Sequence, residues 1–235
     1  MTEPADPAAA EAAPHYLGHR QRLRERLLSI GGEQMQDYEL LELVLTLAIP
    51  RRDVKPLAKA LIDHFGSFAG VIAADQSALE NVKGMGEGAV AALKVIEAAA
   101  VRLAREEISD KPLIGSWNRL LDYCRTSMGR AQTEQFRVLF LDRKNRLIKD
   151  EVQQTGTVDH TPVYPREIMK RALELGASAL ILVHNHPSGD PTPSRADIEI
   201  TKDVQKAAQA LGVQVHDHLI IGRSGHTSFK SQGLL

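Results

Sequence analysis

A single cysteine, Cys124, in 235 residues excludes an internal disulfide and fits a reducing, cytoplasmic setting. It also excludes a thiolate cluster as a metal site, so any bound ion must rely on His and carboxylate ligands. Aromatic residues are scarce at 4%, with one Trp, which leaves Leu, Ile, Val and Ala to fill the cores. No run approaches the ~20 apolar residues needed to span a bilayer, so no membrane partner is expected. The first fourteen residues have neither a basic n-region nor an apolar core and do not read as a secretory signal. Their Ala, Pro and acidic bias predicts a disordered tail over 1–14. A strong excess of one charge is missing too. Residues 15–110 hold 12 Lys and Arg against 14 Asp and Glu, and residues 111–235 hold 17 against 13. Neither balance suits a protein held to nucleic acid mainly through phosphate contacts.

What is present divides into two periodicities. Apolar spacing predicts helices over 15–28, 37–49, 55–65, 77–82 and 87–107, with Pro50 ending the second of them. The first half is therefore all-α, as a domain over 15–108. A break is expected in 106–115, around Asp110-Lys-Pro. The second domain, 113–235, alternates: a helix over 117–130, strands over 136–142 and 147–153, and a helix that Pro165 opens and Gly176 closes. The apolar run 179–184 predicts a strand buried on both faces. A helix over 195–211 and a last strand over 213–221 follow. The fold class expected is α+β overall, an all-α domain followed by a mixed α/β domain.

The segment that carries chemistry is His184-Asn-His-Pro-Ser-Gly-Asp-Pro-Thr-Pro-Ser194-Arg-Ala-Asp197. It opens at the end of the buried strand and closes in the first turn of the next helix. His184 and His186, two apart in extended chain, face the same way. Three prolines at 187, 191 and 193 restrict the loop, and Asp197 returns a carboxylate to the same point. Two imidazoles and one carboxylate leave a fourth tetrahedral position open, as in a catalytic zinc site, where bound water loses its proton near pH ~7. One Zn²⁺ per chain is the expected cofactor. Ser194 is placed to donate to an oxyanion. It is also the first residue of a capping box with Asp197, and the cap amide and the metal compete for that carboxylate.

His-x-His, seven residues, Ser, two residues, Asp resembles the motif of the JAB/MPN-plus (JAMM) metalloproteases. The wording HNHPSGDPTPSRAD and the later DHLIIG resemble the bacterial RadC subfamily, and the resemblance covers roughly 15–235. It implies a cytidine-deaminase-like JAB/MPN fold, metal ligands His184, His186 and Asp197, and a catalytic Glu on an earlier strand acting with Ser194. Glu134 matches that Glu best, with Glu151 as the rival. Asn185 departs from the Ser or Thr of the eukaryotic deubiquitinating members, which weakens any transfer of ubiquitin-type specificity. The activity implied is hydrolysis of peptide or isopeptide amide bonds in a peptide or protein substrate. The family's label also implies a DNA-associated repair or recombination factor with a structural or vestigial zinc. A metal-dependent nuclease fits less well, because oxygen-rich or two-metal centres serve that chemistry.

Several other features have plainer readings. Residues 81–94, Asn-Val-Lys-Gly-Met-Gly-Glu-Gly-Ala-Val-Ala-Ala-Leu-Lys, resemble a helix-hairpin-helix. That implies weak, sequence-independent DNA contact through Lys83, Gly84 and Gly86. A packing or protein-binding module is the alternative, and Glu87 sits where a phosphate would approach. The run Arg20/Arg22/Arg24/Arg26 is a second basic patch or a solvated face. Strand alternation puts His216 and His218 on one face and Asp217 on the other, so the three read as strand residues that at most support the site. His160 reads as surface, Cys124 as a core thiol, and the loop 154–164 as a cover for the cleft.

Overall fold

The computed structural model describes residues 15–109, 112–156, 163–223 and 225–235. The expected tail at 1–14, His160 and most of the expected cover loop lie outside these residues. Two compact units divide the chain within one long helix. The first takes the residues up to Ile72 and Gln76–Lys94, and the second takes Ala73–Asp75 and Val95–Leu235.

The first unit is helical: α1 (His15–Ile30), α2 (Asp37–Ala48), α3 (Lys55–Phe65), α4 (Phe68–Ile72), α5 (Gln76–Glu80) and the start of α6 (Glu87–Ser109). Glu39, in the first turn of α2, accepts the Gln36 N–H at 3.0 Å and closes the helix start. The other end of α2 is closed by Arg20, which donates to the carbonyls of Ile49 (3.1 Å), Pro50 and Arg52. Arg26 pairs with Glu39 at 2.6 Å, and His19 lies 3.0 Å from the buried Glu42. Of the basic run on α1, Arg20 is buried against the end of α2 and Arg26 pairs with α2 from the surface, while Arg22 and Arg24 face solvent. Arg20→Ala strands those carbonyls, and hydrogen bonds to a charged group are each worth roughly 1.5–3 kcal/mol. The expected outcome is a loss of roughly 2–3 kcal/mol in a urea titration, and an unchanged midpoint contradicts this account of the helix end.

The second unit is a five-stranded sheet between two helical layers. The strands are β1 (Glu134–Leu141), β2 (Leu147–Gly156), β3 (Ala179–Asn185), β4 (Gln214–Ile221) and β5 (His226–Ser228), in the order β2-β1-β3-β4-β5. β3 and β4 run parallel and the other pairs antiparallel. Between them come α7 (Trp117–Met128), α8 (Pro165–Glu174) and α9 (Arg195–Ala210). One sheet face, with Leu139, Leu141, Ile181, Val183, Leu219 and Ile221, packs on α7 and on Ile108 near the end of α6. The other, with Phe136, Val138, Phe140, Leu180, Leu182 and Val215, packs on α8 and α9. Every residue of β3 is buried, as expected of a central strand covered on both sides.

The architecture is α+β, as the periodicities predict. β5 and α4 escape the pattern: three residues of strand carry too little periodicity to read, and α4 follows α3 after only two residues. Residues 106–109 of the expected break belong to α6. No helix among the described residues is long and apolar enough to cross a membrane.

One irregularity positions the site. Leu180 of β3 pairs with Val215 and Ile181 with Asp217, so His216 is an extra residue in β4. Such a bulge reverses the side-chain alternation beyond it. The expectation that His216 and His218 share a face is therefore wrong. His216 reaches Asn145 in the β1–β2 turn at 2.6 Å, whereas His218 faces His184.

Candidate metal centre

His184 is the next-to-last residue of β3, on the face covered by α9. His186 lies just beyond the strand, held by its own N–H to Ile221 O at 3.0 Å. The Nε2 atoms of the two imidazoles approach to 3.0 Å. Asp197, in the first turn of α9, brings Oδ1 to 3.3 Å from His184 Nε2 and Oδ2 to 3.6 Å from His186 Nε2. Each residue offers one ligand atom, and all three atoms lie within 4.8 Å of one another. Three donors whose lone pairs point into one small volume, two nitrogens and one carboxylate oxygen, suit a borderline cation such as zinc and leave room for a fourth ligand.

The proton arrangement follows from the outer contacts. His186 Nδ1 lies 2.7 Å from Asp190 O, and a carbonyl only accepts, so that nitrogen carries a proton, and in the neutral ring Nε2 is the bare one. Burial pulls the His184 pKa down to about 4 against the attraction of Asp197, which keeps the ring neutral near pH 7. His186 is shifted upward, chiefly by its contact with Asp197. For Asp197 itself, burial works upward but is outweighed by His186, His184 and Ser194, which hold the carboxyl well below its usual range.

The capping box and the cluster do not exclude each other. Ser194 Oγ accepts the Asp197 N–H at 3.1 Å, and Asp197 Oδ2 accepts the Ser194 N–H at 2.7 Å. Oδ1 remains for the ring of His184. Ser194 is solvent-exposed at the mouth of the cluster.

Of the two candidate carboxylates, the structure brings Glu134 to the cluster. Phe136 pairs with His184 across β1 and β3, so Glu134, two residues earlier, falls on the same face beside His186. Its carboxyl is raised by burial and by the Asp197 charge, and lowered by His186. Glu151 sits opposite Val138 on β2 and is held by Arg171 at 2.7 Å.

Sequence reasoning missed two contributors. One is Asn185, which in the sequence shows only as a departure from a motif. It is buried, accepts the Gln135 N–H at 2.9 Å and donates to Thr133 O at 3.1 Å. The amide thus ties the start of β1, and Glu134 with it, to the end of β3. A polar residue between two histidines at a buried strand end was the available signal. The other is Gly222. A Cβ there would sit 2.4 Å from Gly189 O and 3.0 Å from Pro191 Cδ, so only glycine lets the ligand loop close on β4. That loop carries the Asp190 carbonyl on which His186 is fixed. Gly222→Ala is expected to lower zinc affinity about tenfold, the scale of losing an outer contact. Chelator competition measures it, and wild-type affinity in the variant contradicts the packing argument.

The residues expected to meet DNA lie together in the first unit. Lys83, Gly84 and Gly86 are exposed in the turn before α6. Gly84 has φ of 101°, and its carbonyl accepts from Arg52 Nη2 at 2.9 Å. Glu87 opens the helix next to them. Cys124, on α7, is buried in the core between that helix and the sheet.

The chain resembles known proteins along nearly its whole length. Residues 114–234 match the RadC-like JAB domain, and residues 15–91 match the UPF0758 N-terminal domain. A UPF0758 protein of Rhodobacter capsulatus is 62% identical over 213 residues, covering 91% of this chain and all of the relative. The UPF0758 protein SPO0054 of Ruegeria pomeroyi is 58% identical over 223 residues, covering 94% of this chain and likewise all of the relative. With a His/His/Asp cluster built on the JAB portion and both domain models matched in order, the chain belongs to the RadC (UPF0758) family.

Proposed function

We propose that the protein is a zinc-dependent hydrolase of amide bonds in peptides or isopeptides. The observation that carries this reading is the convergence of His184, His186 and Asp197 on one point, with Glu134 facing them from the neighbouring strand. A binding module needs no such carboxylate beside three donors. The two bare imidazole nitrogens and Asp197 Oδ1 would hold one Zn²⁺ per chain. Zinc bound there supplies Lewis acidity toward a scissile carbonyl and brings the pKa of water down toward ~7.

The remaining work falls to the chain itself. Glu134, half-buried and with a raised pKa, takes the proton from the attacking water on a carboxylate oxygen and returns it to the leaving amine nitrogen. Ser194, exposed at the mouth of the cluster, is placed to donate its hydroxyl to the oxygen of the tetrahedral intermediate. His184 and His186 hold fixed orientations through their Nδ1 contacts, so the site reorganises little during the reaction.

Elemental analysis of protein purified without added metal tests the reading. About one zinc per chain is expected, followed by cleavage in a screen of peptide and isopeptide substrates. Absence of zinc together with no uptake at micromolar levels overturns it. The second reading, a DNA-associated factor in the cytoplasm, is favoured by one feature, the exposed Lys83–Gly86 turn with Arg52 against it. Its charge balance allows only weak contact with phosphates. Salt-dependent binding of a DNA duplex, lost in Lys83→Ala, is the result that supports it.

A further inference from the structure

We infer that Thr201 and His218 form a hydrogen-bonded chain that runs from one proposed ligand to another and fixes the tautomer of His184. This rests on the zinc reading for its purpose, though not for its geometry. Thr201 Oγ1 lies 2.5 Å from Asp197 O, and 2.6 Å from His218 Nδ1. His218 Nε2 lies 2.7 Å from His184 Nδ1. All three side chains are buried, His218 completely.

The direction of every proton follows from the first contact. Asp197 O is a carbonyl and only accepts, so the single hydroxyl proton of Thr201 is committed to it. Thr201 Oγ1 can then only accept from His218, which places a proton on His218 Nδ1. The ring is wholly enclosed by Thr201, His184, Phe136 and Phe229 with no carboxylate against it among the described residues, so it carries that one proton, and its bare Nε2 must accept from His184 Nδ1–H. His184 is thereby left with a lone pair on Nε2, the atom that faces His186 and Asp197. A hydrogen bond on the far nitrogen of an imidazole sets which nitrogen is free to ligate.

Packing holds the chain in place. Phe136 stacks on His184 with the rings nearly parallel, 6.0 Å apart, and meets His218 edge-on at 5.5 Å. Phe229 covers His218 at 4.6 Å. The buried Asp217 accepts the His218 N–H at 2.8 Å and takes Ser228 Oγ and Lys230 N as well, which pins the backbone beneath the ring. The β4 bulge at His216 is what turns His218 to this face. Thr201 stands one turn after Asp197 on α9, so the helix that delivers the carboxylate also orients the imidazole across from it. Thr201 and His218 are positioning residues and need not touch substrate.

The test reads imidazole tautomers and zinc affinity separately. In metal-free protein with ¹⁵N-labelled histidine, long-range ¹H–¹⁵N correlation spectra should show His184 and His218 both protonated on Nδ1. A His184 ring protonated on Nε2 in the wild type overturns the chain without any variant. Thr201→Val removes the hydroxyl at nearly constant volume. It is expected to mix the His184 tautomers and to weaken zinc binding in chelator competition by about 10–100-fold, and Thr201→Ser is expected to restore both. Unchanged zinc affinity in Thr201→Val overturns the positioning role. A wild type that shows the expected tautomers but takes up no zinc instead sinks the hydrolase reading and leaves the chain standing.

Discussion

Replacing Glu134 with Gln should lower kcat/KM for amide hydrolysis by about 10²–10⁴-fold, the usual contribution of a positioned proton carrier. Zinc content should stay at the wild-type level. Glutamine preserves the volume and the β1 backbone but cannot accept a proton from water or return one to the leaving nitrogen. It is not among the three converging donors, so the metal has no reason to leave. The carboxyl is already disfavoured as a charge by burial and by Asp197, so neutralising it should not destabilise the fold. A Gln variant that cleaves at the wild-type rate would exclude Glu134 as proton carrier. A variant that loses zinc as well as activity would instead make it a ligand. Glu151→Gln is the natural control, since that side chain is engaged by Arg171.

The second large effect is on the metal. Asp197→Asn is expected to weaken zinc binding more than ~100-fold, beyond the ~10–100-fold attributed to outer contacts. The change removes the only anionic donor of the three and presents a neutral amide to the cation. The helix start should survive. Ser194 still accepts the N–H of residue 197, and the amide oxygen of Asn is able to accept the Ser194 N–H. Loss of the helix start itself should cost no more than about 1 kcal/mol, the typical worth of an N-cap, and any further loss in the metal-free state reports the contacts that favour the Asp197 charge. Chelator competition gives the first number and a urea titration the second. Wild-type zinc affinity in Asp197→Asn would remove Asp197 from the ligand set.

The family relationship extends through both domains, and it narrows the chemistry without naming a substrate. The three candidate donors come from one short stretch of chain, 184–197, but their surroundings are drawn from other segments as well. Asn185 reaches back to the start of β1, Gly222 lets the loop close, and Thr201 and His218 approach from α9 and β4. On the zinc reading, substitutions outside the motif are expected to act on the site, and Gly222 and Thr201 are where this should be most visible.

The order of helices and strands was readable because apolar spacing is a local property, 3.6 residues on a helix and two on a strand. The same holds for His184, His186, Ser194 and Asp197. A strand end, a proline-restricted loop and a helix start lie within fourteen residues, so spacing alone brings their side chains to one region. The choice between Glu134 and Glu151 was not local. It depended on the antiparallel register that sets Phe136 against His184 and Val138 against Glu151, and on Arg171 arriving from α8. The face occupied by His218 was not local either. Alternation predicts the wrong side, because a bulge at His216 inserts one residue, and the packing of β4 on β3 decides where that residue goes. The sequence by itself determined most of the elements and the gathering of His184, His186 and Asp197 at one point. Only the tertiary structure decided which carboxylate and which imidazole stand beside them, because strand register and bulges are chosen by contacts between segments far apart in the chain.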